Sequence, residues 1–190
     1  MSGSYGSRVP AWLPSRGEPG GLGGVAAVLV WLAVAGCGGG PRTDAEKLAV
    51  LNEMAADVDA RFPKVEQLSV DQVGRLLEAN GDGLVLVDVR ENHEREVSRI
   101  PGSITAEEFE ADPSRYSGAI VVAYCTIGAR SSAFAKKHTS EGRPVANLRG
   151  SILAWTHAGG PLVGEEGPTT RVHVYGERWN LAPERYEAVW

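Results

Sequence analysis

The chain has 190 residues, of which 43% are hydrophobic and 23% are charged, so it is long enough to bury the core of one domain of ordinary size. Its formal net charge of -5 argues against binding to the phosphate backbone of a nucleic acid, because that binding needs a basic surface. Its two cysteines, Cys37 and Cys125, cannot build a disulfide scaffold or a four-thiolate metal site.

The first forty residues differ in composition from the rest of the chain. An uncharged apolar run, 25–35, follows a segment that carries two arginines. Because a membrane-spanning helix needs about 20 apolar residues, this run is more typical of a secretory signal. Small residues lead from it into Cys37, and the arrangement resembles a bacterial lipoprotein signal. The resemblance implies that residues 1–36 are removed and that Cys37 is lipidated. The protein is then expected on the extracytoplasmic side of the bacterial cell envelope, held at the membrane by its lipid; a short uncleaved anchor is the alternative.

Residues 37–63 are predicted to form a lipidated tether and a helical spacer. Thr43 and Glu46 fit a capping box, in which each side chain satisfies a backbone N–H at the start of a helix. The helix has an apolar stripe on one side and ends at Pro63. This pattern indicates a packing helix or a spacer, to which we assign no chemistry.

Helical and extended patterns alternate after this spacer. Ser69 and Gln72 suggest a second capping box, and the helix that they open ends at Asn80 and Gly81. Apolar, β-branched runs typical of strands buried in a parallel sheet follow at 84–89, 119–124 and 145–148. Polar, helix-compatible segments separate these runs. The alternation predicts an α/β fold, with a parallel sheet and helices on both faces.

Cys125 directly follows the second of these strands and precedes a loop that runs into a helix. Ligands bind beyond the carboxyl ends of parallel strands, and backbone N–H groups and the helix dipole there favour a thiolate. Such surroundings lower the pKa of a thiol, so Cys125 is a candidate nucleophile. Gly128 would let the loop curl, and Arg130 would clamp an anionic substrate or close the loop against a carboxylate. Taken alone, a buried cysteine in this place is more often a small core residue.

Motifs around these residues resemble a single-domain rhodanese. They lie in order over residues 64–165 and read VDVR at 87–90, IPGSI at 100–104, YCTIGARSS at 124–132, LRGSILAW at 148–155 and GPLV at 160–163. The resemblance implies the rhodanese fold and a sulfurtransferase cycle. Cys125 would take a sulfane sulfur from a thiosulfate-like or persulfide donor and pass it to a thiol or cyanide-like acceptor, with no cofactor.

The resemblance also implies roles for the residues near Cys125. The backbone amides of the loop are expected to surround the persulfide and stabilise its negative charge. The loop consists of Thr126, Ile127, Gly128, Ala129 and Arg130. Thr126 departs from the arginine or lysine that the family often carries beside the cysteine, which points to a donor other than thiosulfate.

Charged residues upstream of the loop are interpreted as supporting groups. Asp88 and Arg90 match the family's upstream signature and are expected to form a structural ion pair near the loop. Glu94 or Glu96 is expected to pair with Arg90 or Arg95, or to be an ordinary solvated charge on a helix. A catalytic role of Asp88 and Arg90 is the weaker alternative.

Two other functions stay open. The first is a non-catalytic rhodanese-like module that binds a partner or carries sulfur for one. The second and weaker is a phosphatase or arsenate reductase, because the loop from Cys125 to Arg130 is shorter than the phosphate-holding loop of the related phosphatases. The histidines lack metal-binding spacing, so no metal site is predicted. Residues 166–190 form an aromatic tail that we expect to pack on the domain or to cover a pocket.

Overall fold

The computed structural model describes residues 40 and 43–190, except for the side chain at position 82. The predicted signal, residues 1–36, and the predicted lipidation site, Cys37, lie outside the described residues. Within the described residues, every helix is too short or too polar to cross a bilayer.

Helices and strands alternate over most of the described chain. The helices are α1 (Asp44–Arg61), α2 (Val70–Asn80), α3 (Asn92–Val97), α4 (Ala106–Ala111), α5 (Ala129–Ser140) and α6 (Ser151–His157). The strands are β1 (Gln67–Leu68), β2 (Leu84–Asp88), β3 (Ile104–Thr105), β4 (Ile120–Tyr124), β5 (Ala146–Leu148), β6 (Leu162–Gly164), β7 (Gly167–Thr169), β8 (Arg171–His173) and β9 (Glu187–Val189).

The first five strands form one parallel sheet in the order β1-β5-β4-β2-β3. The predicted α/β fold with a parallel sheet is therefore confirmed, and the three predicted strands correspond to β2, β4 and β5. The strands at the two edges, β1 and β3, have two residues each and were not predicted. A two-residue strand is too short to show an apolar pattern, because its pairing depends on the neighbouring strand rather than on its own side chains.

Side chains of β4 alternate between the two faces of the sheet and enter two separate cores. Val122 and Tyr124 lie in a large cluster with residues of α1, α2 and α6. Val121 and Ala123 lie in a smaller cluster with residues of α4 and α5. Because both faces are covered, this strand is apolar along its whole length, as the sequence indicated.

Helix α1 is an integral part of the larger core. It begins at the predicted capping box, with Thr43 and Glu46 satisfying each other's backbone N–H groups. Leu51, Ala55 and Val58 are buried along one side. Of the two roles that the sequence allowed for this helix, packing and spacing, the buried side of α1 shows packing on the domain.

The aromatic tail also packs on the domain. Strand β8 pairs in parallel with β9, so the residues between them form a loop that is held at both ends. This loop contacts α1: Lys47 Nζ donates a hydrogen bond to the Ala182 carbonyl at 2.9 Å, and the Glu184 N–H donates to Asp44 Oδ1 at 2.8 Å. Helix α1 and the tail are thus joined along one side of the molecule.

Candidate active site

Cys125 lies at the carboxyl end of β4, between that strand and α5. Parallel strands place their ligand sites at this edge of the sheet. The side chain is 2% exposed and forms part of the floor of a cleft. Among the described residues it is the one cysteine, and it is a free thiol.

The sulfur of Cys125 accepts hydrogen bonds from the loop and from the first turn of α5. The Gly128 N–H lies 3.2 Å from Sγ and the Ser131 hydroxyl oxygen lies 3.4 Å from it. Burial alone would raise the pKa of the thiol. The Ser131 side chain and backbone, the charge of Arg130 and the Gly128 N–H outweigh burial and lower that pKa. The site thus favours a thiolate, the form of cysteine that attacks sulfur.

The loop below the cysteine needs glycine at position 128. Gly128 has a φ of 131°, which side chains rarely tolerate, and it caps the start of α5. A Cβ atom there would lie 3.3 Å from Asn147 Nδ2. The backbone can therefore turn its N–H towards the sulfur only because this residue has no side chain.

The donors around the sulfur differ in part from those predicted. Of the loop amides 126–130, the Gly128 N–H donates to Sγ in the described structure. Thr126, Ile127 and Ala129 line the cleft next to Cys125. The Ser131 hydroxyl, which was not predicted, supplies a second donor. Its position in the first helical turn after the cysteine was the signal available in the sequence.

Arg130 binds the carboxylate of Glu94, which was expected to pair with other residues. Its Nη1 lies 2.6 Å from Glu94 Oε2 and its Nη2 lies 2.8 Å from Glu94 Oε1. The Thr126 hydroxyl donates to Glu94 Oε1 at 3.1 Å and accepts from Arg130 Nη2 at 3.0 Å. The expected pairing of Glu94 with Arg90 or Arg95 is thus wrong, because α3 directs this side chain towards the cysteine loop. Thr126 links the two charges instead of contacting the sulfur.

The electrostatics of this pair favour its charged form. Burial would raise the pKa of the Glu94 carboxyl, but hydrogen bonds from Arg130 and from the Glu91 N–H lower it to about 2. The same carboxylate raises the pKa of Arg130. Glu94 is 0% exposed and the Arg130 side chain is 33% exposed, so the pair is largely shielded from solvent.

Asp88 and Arg90 form a second, deeper ion pair below the loop. Arg90 Nε lies 2.9 Å from Asp88 Oδ1, and Arg90 Nη2 lies 2.6 Å from Asp88 Oδ2. Arg90 Nη2 also donates to the Ser98 carbonyl at 2.7 Å. Both side chains are buried away from the cleft. The ion pair that the sequence led us to expect between these two residues is therefore present.

The cleft above Cys125 has a volume of about 780 Å³. One wall is formed by α1 and another by the tail, from which Tyr175 and Trp179 face the space. The contribution of both elements was missed, because neither carries a recognisable motif. In the part of the chain that the structure describes, no group of three or more His, Cys, Asp or Glu side chains could hold a metal ion.

Part of the chain is similar in sequence to known proteins. Residues 69–158 match the family model of the rhodanese-like domain. The chain is 31% identical over 140 residues to the tRNA uridine(34) hydroxylase of Rhodococcus jostii (strain RHA1), with 68% of this chain and 48% of that protein covered. The corresponding protein of Rhodococcus opacus (strain B4) has the same identity and coverage. The chain thus spans about half the length of the curated relatives it matches.

Two solved structures are similar to part of this chain. A thiosulfate sulfurtransferase from Pseudomonas aeruginosa is 26% identical with a TM-score of 0.49, covering 60% of this chain and 23% of that one. A protein of unknown function from Rhodopseudomonas palustris, described as a possible tyrosine phosphatase, is 30% identical with a TM-score of 0.47, covering 59% of this chain and 92% of that one. The match of residues 69–158 to the rhodanese-like family model supports the family expected from the sequence motifs.

Proposed function

We propose that the rhodanese-like domain of this chain is a sulfurtransferase that carries sulfur as a persulfide on Cys125. The environment of the Cys125 thiol is the observation that supports this proposal. Cys125 lies at the floor of a cleft, and hydrogen bonds from Gly128 and Ser131 lower its pKa. A buried cysteine that only packs in a core does not require hydrogen-bond donors at its sulfur.

The transfer balances as two displacements. In the first, the Cys125 thiolate attacks the outer sulfur of the donor, the sulfur–sulfur bond of the donor breaks, and its electron pair leaves with the departing sulfite or thiolate. In the second, a thiophilic acceptor attacks the outer sulfur of the persulfide, and the electron pair of that bond returns to Cys125. The amide and hydroxyl that now donate to Sγ stabilise the anion in both steps.

Two measurements test this function. The full chain is incubated with inorganic polysulfide, and Cys125 is examined by mass spectrometry for a gain in mass of one sulfur atom. Cyanide is then added, and thiocyanate is measured. We expect wild type to gain the sulfur and release thiocyanate, while Cys125→Ser does neither. Wild type that fails to gain sulfur would refute the proposal.

A sulfur carrier without turnover of its own is the second candidate. It is favoured by the 2% exposure of Cys125, which restricts access to the sulfur. A carrier would gain the sulfur atom from polysulfide but release little thiocyanate to free cyanide. The tRNA hydroxylation named for the curated relatives belongs to proteins of which this chain covers 48%.

We also propose that the protein is a lipoprotein of the bacterial cell envelope, held at the membrane through Cys37. The support is the sequence: an apolar run at 25–35 is followed by small residues and this cysteine. Metabolic labelling with palmitate should mark wild type and not Cys37→Ala. Equal labelling of the two would refute the anchor.

A further inference from the structure

The described lining of the cleft is mainly apolar away from the cysteine. Helix α1 contributes Met54, Val58 and Ala60, and the loop contributes Ile127 and Ala129. The tail adds two aromatic residues. A space of about 780 Å³ with such walls is in the range that proteins use for small organic ligands, and far larger than a small inorganic dianion requires.

The cation that acts on Cys125 is already paired. Among the described lining residues the charged ones are Asp57, Arg61 and Arg130. Arg130 is neutralised by the buried Glu94 at 2.6 Å. Asp57 and Arg61 are exposed residues of α1, and Arg61 Nε donates to the Asp57 carbonyl at 3.3 Å. Beside Cys125 a dianionic donor would lose its hydration and meet a cation that already has a counter-charge.

Tyr175 of the tail lies over the guanidinium of Arg130. The guanidinium carbon of Arg130 lies 5.3 Å from the centroid of the Tyr175 ring. Tyr175 has a φ of 71°, and its N–H donates to His173 Nδ1 at 3.1 Å. This backbone turn holds the ring over the arginine. One side of the Trp179 ring is in turn covered by Arg178, whose guanidinium carbon lies 4.6 Å from its centroid.

We propose that the sulfur donor of this site is an organic persulfide with an apolar substituent, held between α1 and the aromatic pair Tyr175 and Trp179, and that thiosulfate is a poor donor. This inference rests on the proposed function of Cys125 and adds the class of substrate. The elements that would recognise the donor, α1 and the tail, both lie outside residues 69–158.

The step is a displacement at sulfur. The Cys125 thiolate attacks the terminal sulfur of the protonated persulfide R–S–SH, and the S–S bond of the persulfide breaks. Its electron pair leaves as the thiolate R–S⁻, and the product on the protein is Cys125–S–SH. No electrons are supplied from outside. The apolar group R stays against the walls during the exchange, which binds the donor without using charge.

The test compares donors by the second-order rate at which Cys125 gains one sulfur atom in a quenched reaction read by mass spectrometry. The donors are benzyl persulfide, thiosulfate and inorganic polysulfide. We expect benzyl persulfide to react at least about 10-fold faster than thiosulfate, as expected when one aromatic group is buried. Equal rates, or a faster reaction with thiosulfate, would overturn the inference. Reaction with polysulfide alone would leave the proposed function standing, whereas no reaction with any donor would refute both.

Variants of the tail sharpen the test. Trp179→Ala should slow the reaction with benzyl persulfide about 10-fold and change the rate with thiosulfate less than about 2-fold. Tyr175→Ala should slow the reaction with benzyl persulfide and speed the reaction with thiosulfate, because the ring no longer covers the Arg130 guanidinium. Tyr175→Phe should retain the preference for benzyl persulfide. Trp190→Ala is the matched control, since this tail aromatic is 59% exposed and does not line the cleft; its rates should equal wild type. Parallel loss with both donors in Tyr175→Ala, in protein with an unchanged circular dichroism spectrum, would overturn the role of the tail.

Discussion

Replacing Glu94 by glutamine should remove a large part of the stability of the cysteine loop, and it should do so in a pH-dependent way. Glu94 is 0% exposed and forms two hydrogen bonds to Arg130. Glutamine has nearly the same shape but carries no charge. The variant therefore removes the ion pair while keeping the packing, and leaves Arg130 without its counter-charge.

The size of the effect follows from the pKa of the carboxyl. A fall from the ordinary value of 4.5 to about 2 corresponds to about 3 kcal/mol of folding free energy, because each pKa unit is worth about 1.4 kcal/mol. Since the folded pKa is lowered, this contribution is present above pH 4.5 and is lost as the pH falls towards 2. At pH 3 about 1 kcal/mol of it remains.

Urea denaturation of wild type and Glu94→Gln, followed by tryptophan fluorescence at pH 7 and pH 3, measures this difference. We expect about 3 kcal/mol between the two proteins at pH 7 and about 1 kcal/mol at pH 3. Glu96→Gln is the control, because Glu96 is exposed on the same helix, and it should stay within about 0.5 kcal/mol of wild type. A difference for Glu94→Gln that is the same at both pH values would refute the ion-pair explanation.

Three further changes test the remaining parts of the site. Ser131→Ala should raise the pKa of Cys125, so that the pH profile of alkylation by iodoacetamide moves to higher pH. Gly128→Ala should slow alkylation at pH 6, because a Cβ forces the loop to turn its N–H away from the sulfur. Asp88→Asn should cost about 3 kcal/mol or more in urea denaturation, since it leaves the buried Arg90 without a counter-charge.

Each of these variants has a matched control. Ser140→Ala lies at the other end of α5 and should leave the alkylation profile unchanged. Gly142→Ala has a similar positive φ in open space, so it should not affect alkylation even if it lowers stability. Asp59→Asn breaks a half-exposed pair with Arg149 and should cost about 1 kcal/mol or less. A control that changes alkylation or the free energy of unfolding as much as its variant does would contradict the corresponding explanation.

The sequence predicted the parallel sheet and the position of Cys125 because both depend on local patterns. Apolar runs such as β4 are long enough to show burial on both faces, and the turn from strand to helix at residues 124–129 is marked by glycine. The pairing of Asp88 with Arg90 could also be expected, since only one residue separates them.

The parts that the sequence did not predict depend on contacts between distant segments. Glu94 reaches Arg130 across 36 positions, and nothing in the sequence near α3 distinguishes it from other acidic residues on helices. Helix α1 has an ordinary amphipathic pattern, and its role as a wall follows only from where the fold places it. Tyr175 is a single aromatic residue in the tail whose turn over Arg130 depends on His173.

The loop between β8 and β9 is anchored separately from the strand that holds Cys125. The strand that positions Cys125 belongs to the central sheet, whereas the loop is anchored by its own strand pair and by its contacts with α1. We therefore expect substitutions in the loop to change the lining of the cleft without shifting the sulfur of Cys125. Among homologues, we expect selectivity to diverge through this loop while the chemistry of the thiol stays the same.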